Sequence, residues 1–526
     1  MLQNYLRNKY TEMEKPEFLD FKQERIRVLH YTWIAFFITF YVWFNMAPLA
    51  TTMLQNINWL TKEHIKILGI CNVALTIPAR IIVGALIDRY GPRRVFSGLL
   101  VVMAIPAFFF AFGNTFIQLI VSRLILGTIG AGFVIGIKMT ANWFPPKMVG
   151  RAEGFYAGWG NFGSAFAAMT LPWVAITVFG EWLDLGPDSW RYALAVNGLV
   201  SFVYGIIYWF IVTDHPKDRE IPMTKKTEPM KVTSYVDLIQ YLVWSFPLVG
   251  AMGVLAWRIG NIKVEGEPLL SDTVVWSIYA ILGAIYVGHV IKTLQINLPL
   301  LKKGYPEEEK YSWSSVAALN STYFANFGAE LAVVSMLPMF FQTTFASLAD
   351  ETGKSVMTPE FAGIIAASFA FVNLFARPLG GLISDKMSNR KRTMLIYMVG
   401  ISLGFFGMGM IGQYGAEVNG EMTIIPRFEG MWWLGVAVVL TVACSIFVQG
   451  AEGATFAIIP MINKKMTGQI AGMSGAYGNV GAVIYLVVFS LVDAKMFFYI
   501  LASGALISFI YCLIFLKEPK GSFADE

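Results

Sequence analysis

The chain has 526 residues, 56% of them hydrophobic and 14% charged, where a water-soluble domain carries about a quarter charged residues. That balance excludes an ordinary soluble protein and reads as a polytopic membrane protein. The formal charge of +5 is scattered over loops between apolar runs, not gathered on one exposed face, which excludes nucleic acid as a partner.

Residues 1–30 are mixed charged and polar. The first apolar run, Tyr31 to Leu54, is too long for a signal-peptide core and has no small-residue cleavage site, so an uncleaved first span is expected. Taking runs of about 20 apolar residues as spanning helices predicts fourteen, near 31–54, 65–87, 95–113, 117–141, 152–179, 191–212, 235–257, 273–291, 312–341, 360–384, 393–413, 431–461, 467–493 and 496–516. With both termini in the cytoplasm, most Lys and Arg fall on the inner side, among them the Arg89/Arg93/Arg94 turn, Lys225/Lys226, the Arg390/Lys391/Arg392 turn and Lys464/Lys465. The expected location is the cytoplasmic membrane. The histidines (His30, His64, His215, His289) and cysteines (Cys71, Cys444, Cys512) show neither nucleophile nor metal-ligand spacing, so no enzyme, metal or cofactor is expected.

Span 2 contains PARIIVGALIDRYGPRR (Pro78 to Arg94), and span 10 repeats it as ARPLGGLISDKMSNRKR (Ala376 to Arg392) at a constant offset of 297. Arg80 then meets Arg377, and Asp88 meets Asp385. Arg80 lies eight residues before Asp88, roughly 12 Å inside the membrane edge at 1.5 Å per residue. A cation there costs on the order of 3 kcal/mol, and such residues usually serve a ligand or an ion path. The repeat divides the chain into a tail (1–30), a six-helix bundle (31–212), a linker with an inserted two-helix hairpin (213–311), a second bundle (312–516) and a tail (517–526).

Spans 5 and 13 form a second pair, GRAEGFYAGWGNFG and GQIAGMSGAYGNVG, which match Asn161 to Asn479. Packing accounts for the glycines. The two amides need partners in hydrocarbon and point to a substrate path. Spans 4 and 12 pair GTIGAGF with GAEGATF, making Phe133 and Phe456 equivalent. In span 9, Tyr323, Phe327 and Glu330 share one helical stripe, and Glu452 lies one turn before Phe456. Two readings stand for the carboxyls: structural partners in packing or for an arginine, or proton coupling.

These stretches carry a resemblance. GWGNFG and AYGNVG look like the paired signature of the nitrate/nitrite porter family of the major facilitator superfamily, and the Gly84/Asp88/Arg89/Gly91/Arg93/Arg94 turn resembles that superfamily's loop motif between spans 2 and 3. FGAELAVVSMLP (Phe327 to Pro338) and EGATFAIIP (Glu452 to Pro460) resemble the family's proton-coupled importers. The resemblance implies an all-α major facilitator fold, two pseudo-symmetric six-helix bundles, with the hairpin as a departure from the twelve-helix pattern. It implies that Arg80 and Arg377 bind an anion between aromatic walls Phe133 and Phe456, with Asn161, Tyr323 and Phe327 beside them and Asn479 as the second amide.

Two planar forks suit an oxyanion, and aromatic rings suit a flat, weakly hydrated one. The expectation is nitrate/proton symport, with Glu330 or Glu452 taking the proton. Nitrate/nitrite exchange is the alternative, and an organic-anion transporter of the same fold a more distant one. A sensor is set aside because few residues follow Leu516. Asp88, Arg89, Arg93 and Arg94, with Asp385 and Arg390, are expected to form ion pairs at the cytoplasmic gate. The lipid bilayer and protons are the other expected partners, and the chain is expected to be a monomer.

Overall fold

An apolar run that crosses a bilayer must satisfy its own backbone polar groups, which an α-helix does within the segment. The computed structural model describes residues 18–217, 229–264, 266–306, 310–387, 389–411, 414–418, 421–425, 430–463 and 466–518. Most of both expected tails, Lys225 and Lys226 of the linker, Ser388, and Lys464 and Lys465 lie outside the described residues.

Among those described, 14 helical spans are long and apolar enough to cross a membrane. They are α1 (Glu24–Asn56), α2 (Lys62–Tyr90), α3 (Pro92–Ala111), α4 (Phe116–Trp143), α5 (Arg151–Trp182), α6 (Gly186–Ile211), α7 (Tyr235–Gly260), α8 (Asp272–Lys303), α9 (Trp313–Thr344), α10 (Pro359–Ser384), α11 (Arg390–Ile411), α12 (Met431–Ile462), α13 (Thr467–Phe489) and α14 (Ala494–Phe515). Every expected span is present. The largest difference is α8, which runs on to Lys303 instead of stopping near residue 291. Its polar extension is held by Asn297, whose side chain accepts from Val232 N at 2.8 Å and donates to Met230 O at 3.1 Å. Apolar periodicity marks where a helix is greasy, and this one continues past that point because the chain before α7 completes its hydrogen bonds. Two short strand pairs, Lys263–Val264 with Glu267–Pro268 and Tyr414–Val418 with Glu421–Ile425, close turns between spans.

The two halves repeat their packing. Helix α1 lies along α5 as α9 lies along α13, and α3 along α6 as α11 along α14. Two breaks recur in both copies, and the first copy has one more. α2 is interrupted at Leu75 and α10 at Val372, α1 after Trp43 and α9 at Asn326, while α4 passes through a 3-10 turn at Gly127–Ala131. Non-helical backbone at membrane depth is tolerated where protein covers it, and the freed carbonyls are covered by side chains. Asn72 O accepts from Trp43 Nε1 at 2.6 Å, and Phe369 O accepts from Gln449 Nε2 at 2.8 Å.

The halves meet along α5 against α10 and α2 against α13. At the Thr61 end they touch: Lys66 Nζ donates to Val492 O at 3.2 Å and lies 4.6 Å from the centre of the Phe489 ring. Nearby, a methyl group on Gly363 of α10 would overlap the Ala168 carbonyl of α5. Toward the end that carries the basic turns the seam loosens. A methyl on Gly158 would stand 2.9 Å from Asn373 O, one on Gly154 would reach only Pro378 Cα at 4.0 Å, and ones on Gly468 and Gly472 of α13 would meet nothing within 4 Å. At these glycines, contact across the seam thins from mid-depth toward the basic-turn end.

The inserted hairpin rides mainly on the second half. Trp244 of α7 packs against Tyr477 and Tyr511, Tyr241 packs against Trp313, and Asp237 Oδ1 accepts from Trp313 N at 3.0 Å. Arg258 donates to Ser490 Oγ at 2.8 Å and to Glu63 of α2 at 3.0 Å, a contact with the first half.

Candidate functional site

Arg80 and Arg377 are 5% and 3% exposed, and each follows the break in its span by five residues, Leu75 in α2 and Val372 in α10. Buried guanidiniums need carbonyls, π faces or a carboxylate as company, and both turn toward the same pair of rings. Arg80 Cζ lies 5.0 Å from the centre of Phe133 and 5.8 Å from that of Phe327; Arg377 Cζ lies 5.8 and 5.7 Å from the same two. Phe133 follows the 3-10 turn of α4, and Phe327 follows the break of α9. The backbone interruptions thus deliver all four groups to one depth.

The two arginines are held differently. Arg80 Nη1 donates across the seam to Gly475 O of α13 at 2.7 Å. Its Nε and Nη2, which share one edge of the guanidinium, are buried without a hydrogen-bond partner among the described residues. Arg377 Nη2 donates to the Tyr323 hydroxyl at 2.8 Å, and Nη1 lies 2.6 Å from Glu452 Oε2. Neither of those last two atoms makes an aligned hydrogen bond, so their contact is one of opposite charges rather than a bidentate fork. Glu330 Oε1 accepts from Asn373 Nδ2 at 2.5 Å, and its carboxyl interacts with that of Glu452. Two guanidiniums and two carboxyls are therefore gathered in one buried region, with one guanidinium edge left open.

Phe456 packs edge-on against Phe133 at 6.1 Å and Tyr323 at 5.2 Å, and Tyr323 stacks on Phe327 at 5.0 Å. The ring facing both guanidiniums together with Phe133 is therefore Phe327, and Phe456 backs the pair. Asn479 Nδ2 donates to Gly475 O at 3.3 Å, the carbonyl that also receives Arg80. Asn161 is fully buried, and both its amide atoms lack a hydrogen-bond partner among the described residues.

At the basic-turn end, several of the gate residues make contacts within their own halves. Asp88 lies 3.5 Å from Lys138 Nζ of α4. Arg93 N donates to Asp214 Oδ1 at 2.7 Å, Arg93 Cζ lies 5.5 Å from the Trp209 ring, and Arg89 Cζ lies 5.1 Å from the Tyr90 ring. Arg94 is exposed. Arg390 N donates to Glu518 Oε1 at 2.9 Å and its guanidinium to Ala457 O. The Asp385 side chain lies outside the described residues. These contacts lie inside each half, and Asp88 with Lys138 is the ion pair among them.

Asp214, Glu518, Gly475 and Asn373 belong to this network and escape sequence reasoning, whereas Lys138 is visible as a basic residue within a span. Asn373 leaves a trace, a polar residue one turn before Arg377 and just ahead of the repeated stretch, where the first copy has Thr76. Glycine shapes the pocket at two points. A methyl on Gly453 would overlap Arg377 O, so α12 can approach α10 at the arginine only without one. A methyl on Gly478 would stand 2.5 Å from Phe327 Cδ1 and 2.9 Å from Tyr323 Cδ1. Gly478→Ala is therefore expected to displace the Phe327 ring by roughly 0.5–1 Å and Tyr323 by somewhat less, and to raise the KM for the carried anion by about tenfold or more, as misplacements near 1 Å lose about a hundredfold. An unchanged KM in a reconstituted uptake assay would show that the rings do not touch the anion.

Comparison with known proteins follows the same lines. The Major Facilitator Superfamily profile matches residues 32–324 and 319–525. The chain is 43% identical over 542 residues to "Nitrate/nitrite transporter NrtP" of Picosynechococcus sp., covering 95% of this chain and 94% of the relative. It is likewise 43% identical over 503 residues to "Nitrate/nitrite transporter NrtP" of Nostoc punctiforme, with the same coverage. Among solved structures, the inward open conformation of the xylose transporter XylE from E. coli superposes with a TM-score of 0.59 over 94% of this chain and 97% of that one, at 13% identity, which concerns the fold alone.

Proposed function

The chain belongs to the nitrate/nitrite porter family of the Major Facilitator Superfamily, and from that membership we propose that it carries nitrate, with nitrite as a second cargo, across the cytoplasmic membrane in symport with protons. The observation that carries this reading is the open edge of Arg80. Nε and Nη2 form the side of the guanidinium that binds an oxyanion with two parallel hydrogen bonds, they are buried, and a π face lies beside them. Nitrate is planar and weakly hydrated, so it can accept that pair of bonds and lie against Phe133 and Phe327 without leaving a third dimension of acceptors unmet.

The charges supply the coupling. Arg80 and Arg377 contribute two positive charges, and Glu330 and Glu452 two negative charges when ionised. The empty site is then neutral and can reorient across a low-dielectric interior. Binding one nitrate adds a negative charge, and one proton on the carboxyl pair restores neutrality, so anion and proton travel together. With the basic turns in the cytoplasm, the looser end of the seam faces inward, and the two halves rock about the arginine level to open the Thr61 end. Glu452 then serves both as the partner of Arg377 and as a member of the proton-binding pair.

Purified protein in liposomes tests this. Nitrate uptake is expected when the outside is made more acidic than the inside with no anion trapped within. The rate is expected to rise as external pH falls, because protonation outside accompanies loading. Strict dependence on trapped nitrite would replace this reading with nitrate/nitrite exchange.

A further inference from the structure

Proton coupling at Glu330 and Glu452 needs a way for protons to reach two carboxyls that are 1% and 0% exposed. The anion route along the seam is one way, and the second half contains features of another. Along α12, Thr441, Ser445, Gln449 and Glu452 are all fully buried and lie on one helical stripe. Ser445 Oγ and Gln449 Nε2 both donate to Phe369 O, the carbonyl released by the break in α10. One turn further along α10, Asn373 Nδ2 donates to Glu330. The hydrogen bonds of α9, α10 and α12 thus converge on that break.

They leave a particular set of atoms unmet. Gln449 Oε1 and Asn373 Oδ1 are buried with no hydrogen-bond partner among the described residues, and Glu330 Oε2 and Glu452 Oε1 have none there except each other's carboxyl. All four are acceptors. An anion gains nothing among them, whereas water or a proton satisfies them, and orphaned buried acceptors that lie close together are where ordered water resides. The groups facing the carboxyls are Arg377 of α10 and Tyr323 of α9, with Asn373 bonded to Glu330.

The first half is built on the same fold and keeps only the outer part of this polarity. In the register that matches Phe133 with Phe456, Thr441 falls on Gln118 and Ser445 on Ser122, but Gln449 falls on Leu126 and Glu452 on Ile129. In the register that matches Phe40 and Phe44 with Tyr323 and Phe327, Glu330 falls on Ala47. The hydroxyl of Thr76, which corresponds to Asn373, donates to Gly127 O at 2.8 Å. The architecture therefore does not require an amide and carboxyls at these inner positions, and only the second half has them.

We propose that the space between α9, α10 and α12 is a water-bearing proton branch, lined by Ser445, Gln449 and Asn373, which extends from Glu452 and Glu330 toward the Thr61 end and is separate from the anion route. It rests on the symport reading above. A water bound at Gln449 Oε1 passes a proton to a Glu452 carboxylate oxygen and takes a replacement from the next water outward, so one O–H bond forms as another breaks. Gln449 touches no anion; it is a positioning residue for that water.

The test uses the full chain in proteoliposomes with a trapped pH dye, comparing wild type, Gln449→Leu and Gln449→Glu. Three quantities are read: nitrate/nitrite counterflow without a pH gradient, nitrate accumulation under a gradient of about one pH unit, and protons moved per nitrate. For Gln449→Leu, counterflow is expected to stay within about twofold of wild type, while accumulation loses most of the roughly tenfold that such a gradient supports and the proton ratio falls toward zero. Gln449→Glu is expected to keep coupling with a displaced pH profile. Gln449→Leu with full accumulation and an unchanged proton ratio overturns the branch, and so does an equal loss of counterflow and accumulation with protein present in the liposomes. A wild type that ignores the pH gradient defeats the symport reading itself.

Discussion

Arg80→Lys is expected to abolish nitrate uptake, lowering kcat/KM by about a hundredfold or more, while the protein still reaches the membrane. Arg80 divides its guanidinium between two tasks: Nη1 holds Gly475 O of the opposite half, and the Nε/Nη2 edge stays open beside Phe133. An ammonium at the end of an unbranched chain can take over the carbonyl or face an anion, but it has no second edge and no flat face to lay on a ring. Charge is conserved in the variant, so a loss isolates geometry from electrostatics. Arg377→Lys is expected to fail in the same assay, because the lysine cannot hold the Tyr323 hydroxyl and lie against Glu452 in the same arrangement. The measurement is labelled-nitrate uptake normalised to membrane-inserted protein, and uptake near wild type in either variant would remove the arginines from the site.

The second large effect is expected from Glu330→Gln. Glutamine keeps the shape and keeps a carbonyl oxygen to accept from Asn373 Nδ2, now at 2.5 Å from Glu330 Oε1, but it cannot exchange a proton. Accumulation driven by a pH gradient is therefore expected to vanish. A gradient of about one unit corresponds to ~1.4 kcal/mol per proton, or about tenfold accumulation at one proton per anion, and the variant is expected to lose that factor while exchange of nitrate for nitrite survives. Glu452→Gln is a poorer first test. It leaves Arg377 without its charge partner, and breaking a buried pair costs about 3–5 kcal/mol, so misfolding and uncoupling would be hard to separate. If Glu330→Gln concentrates nitrate as well as wild type does, the carboxyl pair does not carry the proton.

Much of the fold can be read from the chain because hydrocarbon makes simple demands. Runs that must cross a bilayer are long and apolar, and the copied stretches around Arg80 and Arg377 align the halves without further assumptions. The convergence of the arginines on shared rings follows from something composition does not display, the breaks at Leu75, Val372 and Asn326, none of which is a proline or a glycine. For the same reason the ring facing both guanidiniums with Phe133 is Phe327, where equivalence within the repeat had suggested Phe456. The gate residues illustrate a different gap. A sequence lists charges that can pair in any state of a transport cycle, whereas Asp88 beside Lys138 and Arg93 beside Asp214 belong to one of them.

The hairpin of α7 and α8 is stitched to the second half by Trp244, Tyr241 and Asp237, and touches the first at Glu63, an exposed residue. It therefore behaves as luggage on one of two moving bodies. An antibody fragment or rigid fusion fastened to its outer turn, near Lys263–Pro268, is a natural fiducial for single-particle imaging: it would add mass and orientation to a small target without wedging apart the surfaces that slide. Paired with a dye on α6, the same handle would turn each turnover into a change in energy-transfer efficiency.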